Sequence, residues 1–425
     1  MSSERDLPSY LDPSFLRGLG QSRLSRRDAL KGGATVSLAA FLAACGMGGS
    51  ASAPQARVNW VWDHAKKAGV LDFANWPLYI DVSQNAGGQT THPSLDQFTK
   101  ETGIKVNYSE PIQEDAGFFA KIAPELKQGR ATGYDLMIIT NGIQMTDLQL
   151  KHWLVELDHS KAPNFFKYAA PRLHSRAYDP GNRFTIPWQS GFTGIGYNPS
   201  LTGREITSFS DLLDPKFAGK VGMMNDNQDT GNLALISLGI KPEKSTPKDW
   251  QKAADLLKRQ RDAGIVRKYY DQSYIKALSA GDTWLSMAWS GDIFQANLSA
   301  GNENLKFVLP KEGGIIWTDN MCIPVHAAHP VDAITYMNYV YQPSVAAMLA
   351  ESIDYVTPVP AAKQAIDQQA AQATDAATKQ SLLQTSQSPL VFPPKSEFDR
   401  TYYYRVLSPS ETTRWNDIFN AVILA

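Results

Sequence analysis

Lys220-Val221-Gly222-Met223-Met224 is a short apolar run, and Asn225-Asp226-Asn227-Gln228-Asp229 follows it directly. The first five residues read as a buried strand, because an apolar run of about four to eight residues is too short for an ordinary helix. The next five read as a loop or helix start that carries two carboxylates three residues apart. The same alternation extends in both directions. Upstream, strand candidates are Val70-Leu71-Asp72-Phe73, Ile104-Lys105-Val106-Asn107-Tyr108 and Leu136-Met137-Ile138-Ile139. Downstream they are Leu285-Ser286-Met287-Ala288-Trp289 and Leu305-Lys306-Phe307-Val308. Helical patterns lie between them. Ser94 to Glu101 stops at Gly103, a natural helix end. The helix around Trp250 has Thr246 as a cap, Pro247 in its first turn and Asp249 where the helix N-terminus favours a carboxylate. This alternation predicts an α/β fold with mainly parallel sheets. Ligands of such sheets sit beyond the carboxyl ends of strands, where Asp226 and Asp229 stand.

Near the end of the chain, Gln364 to Gln387 is rich in Ala, Gln and Thr and reads as a surface helix or an ordered linker. Glu411 to Leu424 reads as an amphipathic closing helix with Trp415, Ile418, Phe419 and Val422 on one face.

The chain has 425 residues, enough for two or three structural domains. Lys and Arg total 41 against 42 Asp and Glu, so no basic excess points to a nucleic-acid partner. Aromatic residues make up 10% and include ten Trp, which suits a site built from ring faces. The two cysteines are Cys45 and Cys322. Cys322 lies in the apolar run Met321-Cys322-Ile323-Pro324 and reads as a buried free thiol, so no disulfide is expected.

The first 50 residues read as an address. Ser25-Arg26-Arg27-Asp28-Ala29-Leu30-Lys31 looks like a twin-arginine export signal, with Ala29 where Phe is common. Gly32 to Ala44 is apolar but shorter than the roughly 20 residues a membrane span needs. It ends in Leu42-Ala43-Ala44-Cys45, which resembles a bacterial lipobox whose Cys thiol takes the lipid. Residues 1–44 are therefore expected to be a twin-arginine lipoprotein signal peptide, and 45–57 a flexible tether. The mature protein is expected outside the cytoplasmic membrane, anchored to lipid through Cys45.

Motifs of enzymes are missing from the sequence: there is no phosphate loop, no His-Glu-x-x-His and no Gly-x-Ser-x-Gly. His326 and His329 flank a strand-to-helix junction at Pro330, and no carboxylate or thiolate cluster lies beside them in sequence. No enzyme activity, cofactor or metal is expected.

Five stretches carry a family resemblance. They are Phe73-Ala74-Asn75-Trp76-Pro77-Leu78-Tyr79, followed by Leu95 to Val106; Ile186-Pro187-Trp188 with Gly194-Ile195-Gly196-Tyr197-Asn198; Met287-Ala288-Trp289-Ser290-Gly291; Pro310-Lys311-Glu312-Gly313-Gly314-Ile315-Ile316-Trp317-Thr318-Asp319; and Ala350 to Pro358. In register from about Leu71 to Ala362, the chain resembles the bacterial spermidine/putrescine-binding proteins of polyamine ABC importers. The resemblance implies a type II periplasmic-binding-protein fold of two α/β lobes joined by two crossings, near Gly191 and Asp319. Lobe one would take 58–190 and 319–363, and lobe two 191–318 and 364–425. It also implies a monomer that delivers a polyamine to ABC permease and ATPase subunits.

By the same resemblance Asp226 and Asp229 match a pair of acidic ligand contacts. Trp76, Tyr79, Trp289 and Trp317 match an aromatic box, Asp319 a further ammonium contact and Asn141 a small polar contact. The chemistry is consistent with this. A polyamine needs carboxylates for its ammonium groups and ring faces for its methylenes and its charge. Trp317 and Asp319 are two apart in an extended stretch and so point to one face. Taken singly, the three Trp residues read better as core, Asp226 as a helix cap and Asp229 as a first-turn carboxylate; only jointly, in the family register, do they read as a site. The chain departs from the family pattern at Pro77 and Leu78, at Ile143 and near Met348, where a less polar pocket end is expected. Ser83 to His92 is an insertion expected near the cleft mouth. A ligand sensor for a membrane receptor, or a binder of amino acids or sugars, would use the same fold.

Overall fold

In the computed structural model, residues 61–85 and 88–424 are described. The export signal, Arg26, Arg27, Cys45 and the tether lie outside them. All six strand candidates form strands. They are β1 (Val70–Ala74), β4 (Lys105–Ser109), β5 (Leu136–Thr140), β7 (Val221–Met224), β9 (Leu285–Trp289) and β10 (Lys306–Val308). Around them run β2 (Ser83–Gln84), β3 (Thr90–Thr91), β6 (Thr185–Tyr197), β8 (Val266–Tyr270), β11 (Gly314–Cys322) and β12 (Thr401–Tyr402).

Among the described residues one curled sheet runs β4-β1-β5-β11-β6-β9-β7-β8, with β10 beside β6 and β12 beside β11. Its two ends are parallel: β1 with β4 and β5, and β7 with β8 and β9. The middle is antiparallel except where β12 runs parallel to β11, so the sheet is mixed and not mainly parallel as expected. β11 pairs antiparallel with β5 and β6, and β6 pairs antiparallel with β9 and β10. The cause is that β6 and β11 are long strands shared between two halves.

The two halves have separate cores. The first gathers Leu71 and Phe73 of β1, Leu136 and Ile138 of β5, Phe98, Trp188 and Tyr336. The second gathers Val221 and Met223 of β7, Leu285 and Met287 of β9, Trp250, Leu257 and Phe419. All 13 residues of β6 are buried as it passes from one core to the other. The capped helix around Trp250 spans Pro247–Asp262 and starts with a reciprocal Thr246/Asp249 capping box. The Ala- and Gln-rich segment forms two helices, Ala362–Gln372 and Ala376–Gln387. Ile366, Ala370, Leu382 and Val391 pack in the first core, whereas Leu407, Trp415 and Val422 pack in the second. The chain therefore returns to the second half between Phe392 and Leu407, later than the boundary expected at 364. Cys322 is free and buried.

Candidate functional site

Strand ends and hinge strands converge on a cavity of ≈ 340 Å³ between the two cores. Seven carboxylates line it: Glu114, Asp115, Asp226, Asp229, Asp271, Asp292 and Asp319. No Lys, Arg or His is among its lining residues. The rings that line it are Trp76, Tyr79, Trp289, Trp317, Tyr355 and Tyr404. Of the eight sequence-predicted ligand residues, all but Asn141 reach this cavity.

Each element that presents them has a local cause. In the β1–β2 connection, buried Asn75 accepts the Trp76 N–H at 2.9 Å and donates Nδ2–H to the Tyr79 carbonyl at 3.0 Å. This ties the loop into a tight arch with Trp76 and Tyr79 at its base. Between them Leu78 has φ +56° and is 54% exposed at the cavity. On β11, Trp317 stands opposite Gly191 of β6. A Cβ at Gly191 would lie 2.2 Å from Trp317 Cζ2, so only glycine leaves room for the ring. One position beyond Asp319 the β11–β6 register shifts, a bulge that re-aims side chains at this point. Asp226 caps the helix Asn227–Ser237 by accepting the Asp229 N–H at 2.7 Å, and it lines the cavity as well. The capping role and the site role coexist.

The carboxylates are keyed to the polar atoms of the rings. Asp319 accepts the Tyr79 hydroxyl and the Thr140 hydroxyl, both at 2.6 Å. Asp229 accepts Trp289 Nε1–H at 2.7 Å, the Thr193 hydroxyl at 2.8 Å and the Tyr404 hydroxyl at 2.6 Å. Asp292 accepts the Tyr355 hydroxyl at 2.7 Å and the Tyr274 hydroxyl at 2.8 Å. The rings then touch one another. Centroids are 6.4 Å apart for Trp289 and Trp317, 5.3 Å for Trp317 and Tyr355, and 5.6 Å for Tyr355 and Tyr79. A chain of ring faces thus runs past three carboxylates.

Charge in this place is costly. Burial drives the Asp319 and Asp292 carboxyls up to about 6, although the hydroxyls that each accepts offset part of the shift. Burial also raises Asp229 and Asp226, and the neighbouring charge of Asp229 adds to the rise of Asp226. Asp115 is raised for the same first reason and then by Asp319. A cation placed among these groups would bring all of them back down.

Other expectations fall away from the cavity. Asn141 is 2% exposed, and its Oδ1 accepts the Thr318 N–H while its own N–H binds the Thr318 carbonyl. It joins β5 to β11, and it is not among the lining residues of the cavity. Ile143 and Met348 do not line it either; the Ile143 N–H donates to Gln228 Oε1 at 2.9 Å across the cleft. No described residue of the Ser83–His92 insertion is a lining residue. His329 meets carboxylates from strands distant in sequence, with Nδ1 2.8 Å from Asp135 Oδ2 and Asp72 nearby. Asp135 also accepts the N–H groups of Asp72 and His329, which gives it a structural role.

A family model described as bacterial extracellular solute-binding protein matches residues 94–378. The chain belongs to this family. The spermidine/putrescine-binding periplasmic protein of Salmonella typhimurium is 31% identical to this binding protein over 309 residues, 72% of this chain and 83% of the relative. A solved substrate-binding protein of a spermidine/putrescine ABC transporter from Streptococcus pneumoniae is 25% identical. It superposes with TM-score 0.66 over 84% of this chain and 98% of its own. A lipoprotein of Treponema pallidum, 21% identical, shares the fold with TM-score 0.67 over 84% and 100%. The binding protein thus has the two-lobed type II fold, with β6 and β11 as crossings.

The sequence reading missed several of its cavity residues. Asp292 directly follows the quoted stretch Met287 to Gly291, and Tyr355 lies inside the stretch Ala350 to Pro358. For both, their position beside a matching motif was a usable signal. Tyr404, Glu114 and Asp115 carry no such signal.

Proposed function

We propose that this binding protein captures a linear polyamine of the spermidine/putrescine class and delivers it to an ABC importer. The observation that carries the reading is the cavity itself, with seven carboxylates, six aromatic rings and no cationic side chain among its lining residues. Holding such acids ionised out of water costs several kcal/mol per group unless a counter-charge is present. A ligand with spaced ammonium groups supplies that charge, and its methylenes lie on the rings. A sugar would use the rings and leave the acids uncompensated. An amino acid would bring a carboxylate into an acidic pocket. The names of the curated relative and of the Streptococcus pneumoniae protein support the same ligand class.

In this reading Asp229, with Asp226 behind it, grips one ammonium group. Asp319 and Asp292 take others, and Trp289 and Trp317 flank the chain between them. The first lobe keeps the chain as far as Phe392 and the second takes it from Leu407. The protein acts as a monomer, exported by Arg26 and Arg27 and anchored through lipid on Cys45. Thermal shift against putrescine, spermidine, spermine, amino acids and sugars tests the ligand class. Stabilisation by the polyamines alone is expected; stabilisation by a sugar or an amino acid and by no polyamine would overturn the reading.

A further inference from the structure

Tyr403 and Tyr404 are consecutive in the segment that returns to the second half, and they serve opposite sides of the hinge. Tyr404 lines the cavity and places its hydroxyl on Asp229 at 2.6 Å. Tyr403 packs on the cluster of Phe192, Leu309, Ile316 and Val356. Phe192 and Ile316 alternate along β6 and β11 with Gly191 and Trp317, so this cluster is the back of the hinge. There the Arg176 guanidinium lies 3.8 Å from the Tyr403 ring centre, and that of Arg172 lies 4.5 Å from the Phe398 ring centre. Arg176 Nη1 donates to the Arg172 carbonyl at 3.2 Å, which sets the two side chains together. Arg172 Nη1 and Arg176 Nε are buried without a hydrogen-bond partner among the described residues, and the Arg172 side chain also interacts with the Tyr403 hydroxyl, so both arginines hold Tyr403.

The segment is anchored at both ends. Upstream, Thr401 and Tyr402 pair with Gly314 and Ile315 of β11. Downstream, Arg405 binds the Ser245 carbonyl and Glu411. Between these anchors, Tyr403 is held by its N–H on Glu243 at 3.0 Å and by its ring under Arg176. A shift of Tyr403 must move Tyr404, because one peptide unit joins them. We propose that Arg172 and Arg176 are positioning residues for the cavity: by gripping Phe398 and Tyr403 from behind, they hold the segment that lays the Tyr404 hydroxyl on Asp229. The inference rests on the cavity being the binding site, and it holds for any cation that the cavity takes. It adds a contact that ligand chemistry alone would never reveal, since both arginines lie behind the hinge.

The test uses the full mature protein in two arms. In the ligand-free arm, carboxyl-carbon NMR follows the titration of the Asp226/Asp229 pair. Tyr404→Phe removes a hydrogen bond that lowers Asp229, so the titration should move to higher pH. Arg176→Gln should move it in the same direction and add nothing in the Tyr404→Phe background. In the ligand arm, Arg176→Gln should weaken spermidine binding about three- to tenfold, and again only while Tyr404 is present. A purely structural arginine would lower the melting temperature and leave the titration in place; that result overturns the proposal, as does an equal effect in both backgrounds. If Arg176→Gln fails to fold, Tyr403→Leu carries the same test, with Tyr403→Phe as the ring-retaining rescue. If the parent does not bind spermidine, the polyamine reading fails while the NMR arm still decides this proposal.

Discussion

Lowering the pH should loosen ligand binding in a way that the cavity makes calculable. In the empty cavity the carboxyls of Asp292 and Asp319 stand at about 6. Each ammonium group needs its carboxylate ionised. At pH 8 both already are; at pH 5 each must lose a proton first, which weakens binding about elevenfold per group, or about a hundredfold for two independent groups. Asp226 and Asp229 are raised too and push the same way. Calorimetry with spermidine at pH 5, 6, 7 and 8 reads the affinity. Repeating pH 6 in buffers of different ionisation heat counts the protons released: about one from the half-titrated Asp292 and Asp319 together, and more from the raised Asp226/Asp229 pair. The stability of the empty protein follows the opposite course. These folded-state values lie above the roughly 3.9 of an unfolded Asp, so their contribution is fully present below that pH and is lost as pH rises through about 6. Ligand should therefore raise the melting temperature more at pH 8 than at pH 5. Equal spermidine affinity at pH 5 and pH 8, with an unchanged circular dichroism spectrum, would refute the reasoning.

Other outcomes follow from individual contacts. Gly191→Ala forces a methyl group onto Trp317, an overpacking that costs about 1–3 kcal/mol; thermal melts should show the loss, and spermidine titration should show weaker binding. Asp319→Asn removes one charged partner and should weaken spermidine binding about ten- to a hundredfold. Trp317→Ala should weaken it with less dependence on salt, because only charge–charge attraction is screened; identical salt slopes for the two variants would contradict their assigned roles. Cys45→Ser should move the protein from the membrane fraction to the soluble one, and changing Arg26 and Arg27 to Lys should block export; both are read by fractionation after lipid labelling.

The strands that end at the cavity were legible because each is a short apolar run between turn formers. β6 was not legible as a strand, since Thr185–Tyr197 contains Pro187, Gly191, Gly194 and Gly196, a composition that reads as loop. The structure gives the physical reason for those glycines. A Cβ at Gly191 would strike Trp317, one at Gly194 the Val308 carbonyl and one at Gly196 Ile293, so they are cleared for neighbours that local sequence cannot reveal. With β6 unseen, the antiparallel centre of the sheet went unseen as well. The family register carried seven of the eight proposed contacts to the cavity. Asn141 stands outside the lining because its Oδ1 accepts the Thr318 N–H, a demand set by strand pairing. Tyr404 was hidden for a different cause. It lies in the run Tyr402-Tyr403-Tyr404, where neither periodicity nor motif selects one ring, and only the late return of the chain past Phe392 brings it to Asp229.

An acidic cavity lined with rings is built to hold a linear cation. A crystal structure of the mature protein with spermidine tests it most directly. Ammonium nitrogens are expected about 2.7–2.9 Å from the carboxylates of Asp229 and Asp319, with the methylene chain between Trp289 and Trp317. Spermidine bound outside this cavity, or lying in it with no ammonium group on either carboxylate, would show that the acids and rings do not form the polyamine site.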